Sequence, residues 1–428
     1  MITAAFVNIW GKRVGAVSWD AENNTASFEY DPSFISYGYD LSPVKMPVEF
    51  GSRIYNFPEL RASNTFKGLP GLLADILPDK YGNALIDTWL TRHGRATGSM
   101  NPVEMLCFIG TRGMGAIEIE PAFPKAEKRT SAVEIAGLVS IAEKILSGRK
   151  DFSVNVNTGE EKALIDIFKI GTSAGGARAK ALITYNPKTG EVRSGQTNAP
   201  KGFTHWLIKF DGVTDKQSGV SDGYGRVEMA YYNMALDSGI QMEQSRLLEE
   251  NGRAHFMTRR FDRPENNEKV HVQTFCALRH FDYNDVGLYS YEQLFETMRM
   301  LRLPYNQAEQ MFRRMVFNVL ARNCDDHTKN FAFIMDKNGN WKLAPAYDIC
   351  HAYRPGSTWV SRQSLSVNGK TENITVPDMQ ETARRMNIKK AGSIISHITG
   401  VIQNWEKYSE KVRVDPVLID AIKKTLLV

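Results

Sequence analysis

At 428 residues, 42% of them hydrophobic and 24% charged, the chain is long enough for two or three domains around a sizeable buried core. Lysine plus arginine exceed aspartate plus glutamate by 53 minus 48, an excess of 5 that neither requires nor excludes a nucleic-acid partner. The opening MITAAFVNIWGKRVGAV has no basic segment followed by a long apolar core, and no run of about 18 apolar residues occurs, so a cytoplasmic protein without a membrane partner is expected.

The four cysteines, Cys107, Cys276, Cys324 and Cys350, lie far apart with no C-x-x-C pair, which suits reduced thiols better than a disulfide frame or a structural zinc site. Residues 1 to 31 alternate apolar and polar around Gly11-Lys12 and Asn23-Asn24, the pattern of a small antiparallel sheet. From about Leu69 the period becomes helical. Leu72, Leu73, Ile76 and Leu77 make one face; after the break at Pro78-Asp79, Leu85, Ile86, Trp89 and Leu90 make another. The prolines and charges of PAFPKAEKR mark a first boundary, and a helix is expected over 131 to 147.

In FKIGTSAGGARAKALITYN, residues 168 to 186, Gly171, Gly175 and Gly176 sit between two strand-like segments, where glycine lets backbone N–H groups approach an anion. The string matches neither the dinucleotide fingerprint nor the Walker loop, and a plain Gly-rich turn accounts for it as well. HWLIKF, 205 to 210, reads as a buried strand holding Lys209, whose ammonium must be directed at a specific partner. Val227, Ala230, Tyr231, Met234 and Ala235 mark a helix ended by Gly239, with Glu228 near its start. Strand lysine followed by helix glutamate is the pair that orients ATP phosphates in kinases; a surface acid favoured by the helix dipole is the simpler account of Glu228 alone. HFMTRRFDR, 255 to 263, is a strand leading into a mostly helical remainder, interrupted by the loop-like RPGSTWVSRQSLSVNGKTENITVPDM.

The stretch RNCDDHTKNFAFIMDKNGNWKLAPAYDI, 322 to 349, concentrates the polar chemistry. Met311, Phe312, Met315, Val316, Val319 and Leu320 place an amphipathic helix before it, and Phe331 to Met335 with Trp341 to Ala344 form a hairpin around Asn338-Gly339. Asp325, Asp326, His327, Lys329 and Asn330 then fall on the loop between helix and hairpin, and Asp348 just past the second strand. Helix, loop, hairpin, acid is the order in which a protein kinase presents a base Asp, a metal-binding Asn after four intervening residues, and a metal-binding Asp. Turn and cap chemistry produces the same residue types, so the ordered partners elsewhere in the chain carry the reading. Asp326 reads as a solvated neighbour, His327 as a loop-orienting hydrogen-bonding residue, Cys324 as loop packing, and Lys329 as either a γ-phosphate contact or an exposed side chain. Asp325, Asp326, His327 and Asp348 as a metal-hydrolase cluster is a rival reading.

GTSAGGARAK, THWLIKF, FMTRRFDR, RNCDDHTKNF and LAPAYDI, in this order, resemble the HipA family of bacterial serine/threonine kinases, toxins of two-component toxin–antitoxin modules. LPGLLADILPDKYG and GTRGMGAI resemble that family's N-terminal subdomain, and QSLSVNGK, 363 to 370, a late motif of one subgroup. The resemblance implies an α+β, two-lobed, protein-kinase-like fold: an N-terminal subdomain over 1–124, a kinase-like N-lobe with the Gly-rich loop over 125–258, and a helical C-lobe with the catalytic loop over 259–428. It implies Asp325 as catalytic base, Asn330 and Asp348 as magnesium ligands, Lys209 on the ATP phosphates with Glu228, and Arg259, Arg260 and Phe261 as the adenine hinge. His327 and Lys329 would lie near the nucleotide. Ser173 falls where the family carries a regulatory serine whose autophosphorylation expels the Gly-rich loop. Family targets include aminoacyl-tRNA synthetases, and the usual partner is a small helix-turn-helix antitoxin through which DNA is bound. The absence of His-Arg before Asp325 and of Phe-Gly after Asp348 departs from the wider kinase pattern but fits HipA-like proteins. A catalytically silent scaffold that docks an antitoxin is the other alternative; the presence of Lys209, Asp325, Asn330 and Asp348 together argues against it.

Overall fold

The computed structural model describes residues 2–48, 53–122, 133–146, 171, 178–195, 198–213, 222–265 and 267–428. They form two compact units: Met1–Tyr39, Val48–Gly225 and Gln244–His271 make the first, and Asp40–Pro47, Arg226–Glu243 and Val272–Val428 the second.

The first unit contains two antiparallel sheets. In one, β1 (Ala4–Ile9), β2 (Lys12–Asp20), β3 (Thr25–Tyr30), β4 (Ile54–Asn56) and β5 (Ile117–Glu120) lie in the order β4-β3-β2-β1-β5. The β1–β2 turn is Trp10-Gly11, both at positive φ, the two-residue geometry whose twist matches that of the strands. Alternation buries Val7, Ile9, Val14, Val17, Ala26, Phe28 and Tyr30 on one face. The helix Pro102–Ile109 is buried along its whole length, and Asn101 caps it by accepting from the Glu104 N–H at 2.8 Å. Its sequence, PVEMLCFI, is apolar nearly all round and shows no amphipathic period, so periodicity alone does not reveal it.

The second sheet runs β7-β6-β8-β10-β9, from β6 (Lys180–Tyr185), β7 (Val192–Ser194), β8 (Thr204–Lys209), β9 (Ser245–Glu250) and β10 (Arg253–Arg259). Ala181, Ile183, Tyr185, Trp206, Ile208 and Met257 form a core with Tyr81 and Leu85 of the helix Lys80–Arg92 and with Leu138, Val139, Ile141 and Ala142 of the helix Ile135–Leu146. Each large apolar side chain so buried stabilises the unit by about 1.5–3 kcal/mol. One face of this sheet is thereby sealed, which leaves the other for chemistry.

The second unit is mostly helical. The helix Tyr305–Leu320 buries Met311, Phe312, Met315, Val316, Phe317, Val319 and Leu320, and packs on Ala391–Ile402, whose Ile394, Ile395, Ile398 and Ile402 are buried. β11 (His271–Thr274), β13 (Ala332–Met335) and β14 (Trp341–Leu343) make a three-stranded sheet, and β12 (Tyr289–Ser290) pairs in parallel with β15 (Leu365–Ser366). The expected helix, loop and hairpin therefore stand as read, with Asp348 five residues beyond Leu343. No helix among the described residues is long and apolar enough to cross a membrane.

Candidate active site

Register sets a group of candidate residues within the first unit. Lys180 of β6 and Lys209 of β8 are direct cross-strand partners, and Phe256 of β10 pairs with Lys209 from the other side. Because side chains alternate along a strand, these residues share the face opposite the sealed core, together with the partners Leu182 and Leu207. Lys180 is 4% exposed, and the Lys209 ammonium stands 5.9 Å from the Phe256 ring centre. The sequence reading missed Lys180, the last residue of GTSAGGARAK. Aligning the alternation of KALITY with that of THWLIK would have found it. Gly171 packs against the helix Lys80–Arg92: a Cβ there would lie 2.6 Å from Leu85 Cδ1, so close packing requires the glycine. Thr172, Ser173, Gly175 and Gly176 lie outside the described residues.

Arg259 ends β10, and Arg260 and Phe261 follow it. The Arg260 N–H donates to the His205 carbonyl at 2.9 Å, which joins this segment to β8. The Arg260 guanidinium pairs with Asp262 at 2.6 Å, and Arg263 pairs with the same carboxylate at 2.8 Å. Gly115 N–H donates to Asp262 as well, at 2.8 Å, and Arg263 donates to the carbonyls of Gly113 and Gly115. Burial by itself would raise the Asp262 carboxyl, but the two guanidiniums and the Gly115 N–H outweigh it and hold it well below the usual carboxylate range. Arg263 thus clamps the GTRGMG segment directly, and Arg260 is joined to it through Asp262.

Within the second unit, another group of candidate residues is built on the loop after Tyr305–Leu320. Arg322 takes left-handed φ (56°), and Thr328–Asn330 form a single tight turn before β13. The Asp325 side chain is 51% exposed, and His327 Nε2 stands 3.9 Å from its Oδ1, beyond hydrogen-bond reach. Tyr283 lies against both the His327 ring, at 5.2 Å, and the Lys329 ammonium, at 5.1 Å. Asn330 Nδ2 donates to the Asp325 carbonyl at 2.6 Å, tying the two residues into one turn. Asp348 also sits at positive φ (54°), a conformation that costs a non-glycine residue about 1–2 kcal/mol and that Asp tolerates better than most. Asn330 and Asp348 line one small polar cavity with Arg314, Asn318, Asn323 and Asp326. Two oxygen donors of this kind suit magnesium, which usually keeps several ligands from water and phosphate. The described residues hold no cluster of three or more His, Cys, Asp or Glu side chains that would bind a metal by themselves.

Two expectations are corrected. Asp326 is not solvated: it is fully buried, accepting from Tyr291 Oη at 2.7 Å, Gln363 Nε2 at 2.9 Å and the Ser364 N–H at 2.7 Å, and burial pushes its carboxyl up to about 6. Its oxygens are taken up by these donors, and among the described residues no three His, Cys, Asp or Glu side chains converge to hold a metal, which removes the metal-hydrolase cluster. Glu228, at 4% exposure on the helix Tyr224–Asp237, is likewise buried rather than a surface acid at a helix start. Cys324 behaves as read. Its thiol donates to Gln363 Oε1 at 2.9 Å, and burial, with the nearby carboxylates, pushes it up to about 12. In native protein treated with iodoacetamide at neutral pH, mass spectrometry should find Cys324 unlabelled until denaturant is added.

An α+β protein with this order of elements is protein-kinase-like in fold. Its sequence matches the model described as HipA N-terminal domain over residues 5–120 and that described as HipA-like C-terminal domain over 172–405. The chain belongs to the HipA family. It resembles a Sinorhizobium fredii protein named "Putative kinase Y4mE", 21% identical over 371 residues, which covers 81% of this chain and 77% of that one. A Haemophilus influenzae protein named "Putative kinase" is 32% identical over 102 residues, 22% of this chain and 30% of the other. HipA of the Shewanella oneidensis MR-1 toxin–antitoxin system, solved with HipB and its operator DNA, shares the fold: TM-score 0.68 at 18% identity, covering 99% of this chain and 96% of that one.

Proposed function

We propose that the chain is an ATP-dependent serine/threonine protein kinase that acts as the toxin of a toxin–antitoxin module in the cytoplasm. The observation that carries this is the turn joining Asp325 to Asn330, with Asp348 held beside Asn330 in one cavity. The cross-strand register sets Lys180 beside Lys209, and two neighbouring ammonium-bearing side chains suit a polyanion such as the ATP phosphates. Asp325 accepts the proton of the acceptor hydroxyl as its oxygen bonds to the γ-phosphorus and the bond to the β-phosphate oxygen breaks, releasing ADP. Asn330 and Asp348 hold magnesium, which when bound neutralises charge on the phosphates. Backbone groups of Arg259 to Phe261 hold adenine, Glu228 steadies a phosphate-binding lysine, and His327 and Lys329 edge the nucleotide. We place the divisions at 124 and 258. The acceptor is a host protein of the aminoacyl-tRNA synthetase kind. The partner is a small helix-turn-helix antitoxin that brings DNA with it, a reading supported by the Shewanella complex.

Saturating magnesium-ATP should raise the melting temperature, since a ligand at 100 times its Kd that binds only the folded state contributes about 2.7 kcal/mol. Absence of both a shift and a calorimetric binding signal would overturn the assignment. Incubation with magnesium-ATP should place phosphate on Ser173, with neighbouring Thr172 the competing acceptor. Nearly two added charges beside the nucleotide's own repel the loop and switch the enzyme off. Ser173→Ala should then stay active through prolonged incubation, as followed by mass spectrometry and transfer assay; stoichiometrically phosphorylated protein with undiminished activity would contradict the switch.

A further inference from the structure

Residues 324 to 327 alternate inward and outward. Cys324 and Asp326 are fully buried, whereas Asp325 is half exposed and His327 partly so. The direction of Asp325 is thus set by what grips its two neighbours, and almost every grip comes from Gln363, Ser364 and Leu365. Gln363 Nε2 donates to the Asn323 carbonyl at 3.2 Å and to Asp326 at 2.9 Å, while its Oε1 accepts from the Cys324 thiol. Ser364 donates its hydroxyl to the Cys324 carbonyl at 3.1 Å and its N–H to Asp326 at 2.7 Å. Behind Asp326, Tyr291 Oη donates at 2.7 Å and itself accepts from Asn318 Nδ2 at 3.0 Å. Asn318 also accepts from Asn323 Nδ2, which reaches the Asp348 carbonyl at 3.4 Å. One buried network therefore runs from QSLSVNGK through Asp326 to the backbone just before Asp325, at Asn323 and Cys324, and to the carbonyl of Asp348.

We propose that Asp326 and Gln363 are positioning residues for phosphoryl transfer, holding the base-bearing loop and the backbone of Asp348 in one fixed geometry. This rests on the kinase reading above. Asp326 does not touch the reacting atoms; it supplies the acceptor on which the Gln363, Ser364 and Tyr291 donors converge, and the segment after Asp348 closes onto it. The network also gives QSLSVNGK a task that no nucleotide contact explains. The same segment is anchored further on by Asn368 N–H to Glu292 at 2.9 Å and Lys370 to Asp378 at 2.9 Å, so the donors aimed at Asp326 are themselves held.

The test compares full-length wild type, Gln363→Ala, Asp326→Asn and Asp326→Ala by three readouts: magnesium-ATP binding stoichiometry by calorimetry, melting temperature, and kcat and KM per nucleotide-binding site. Displacing a catalytic group by about 1 Å can cost on the order of 100-fold, so Gln363→Ala and Asp326→Ala should lose about that in kcat while KM for ATP changes little. Asp326→Asn keeps an acceptor for the Ser364 N–H and should recover part of the loss. Gln363→Ala leaves Asp326 bonded to Tyr291 and Ser364, so it decides the matter if Asp326→Ala fails to fold. A merely structural role would lower melting temperature and the number of binding sites with kcat per site intact; that result in Gln363→Ala and Asp326→Asn overturns the proposal. A wild type that binds no magnesium-ATP overturns the kinase reading, and this one with it.

Discussion

Asp325→Asn should reduce phosphoryl transfer by a factor on the order of 100 to 10,000, the range a positioned general base contributes. The amide has nearly the shape of the carboxylate but cannot take the acceptor proton. Asn330 bonds to the Asp325 backbone carbonyl, not to its side chain, so the turn survives the substitution. With the side chain half exposed, the melting temperature should hardly move, since surface substitutions usually stay within about 0.5 kcal/mol. Growth arrest on expression should vanish with the activity. The comparison needs radiolabel transfer and thermal melts on the same preparations, with magnesium-ATP binding retained as the control for an intact site. A variant that still labels protein at the wild-type rate would take Asp325 out of the mechanism.

Much of the second unit's group of candidate residues was legible because its signals are local. Helical periodicity in Met311 to Leu320, the Asn338-Gly339 turn and the six-residue span from Asp325 to Asn330 lie within 40 residues and require no knowledge of distant contacts. Lys180 stayed hidden because its meaning is a matter of register: only the pairing of β6 with β8 sets it opposite Lys209, 29 positions later. Asp326 was misread for a related reason. A charged residue in a polar string looks solvated, and the donors that bury it, Tyr291, Gln363 and Ser364, stand 35 to 38 positions away. The strands β4 and β5 join β1 to β3 with no adjacent turn signal, and PVEMLCFI is too uniformly apolar to show a helical face. Long-range pairing and buried polarity are what a single chain's pattern leaves unwritten.

Asp262→Ala should strongly destabilise the first unit. It would strand Arg260 and Arg263, 7% and 6% exposed, without their shared carboxylate, and would remove the acceptor of the Gly115 N–H. Breaking a buried ion pair from one side costs about 3–5 kcal/mol, because the remaining charge stays desolvated. At about 2–4 °C per kcal/mol for a unit of this size, the melting temperature should fall on the order of 10 °C. Asp262→Asn keeps an acceptor for one donor and should lie between. The pH dependence has a definite direction. The folded carboxyl titrates well below its unfolded value of 3.8, so its contribution is complete above about pH 4 and is lost as the pH falls through the folded value. Wild type and Asp262→Ala should therefore differ most near neutrality and converge in strong acid, as urea titrations at a series of pH values would show. Equal midpoints at pH 7 would mean that the two arginines find other partners. Because the same clamp fixes Arg259 to Phe261, a variant that still folds should also show a higher KM for ATP, with kcat at saturation less affected. That pattern is the reverse of the one expected at Gln363, and it separates the stretch that would hold adenine from the network that would aim the catalytic base.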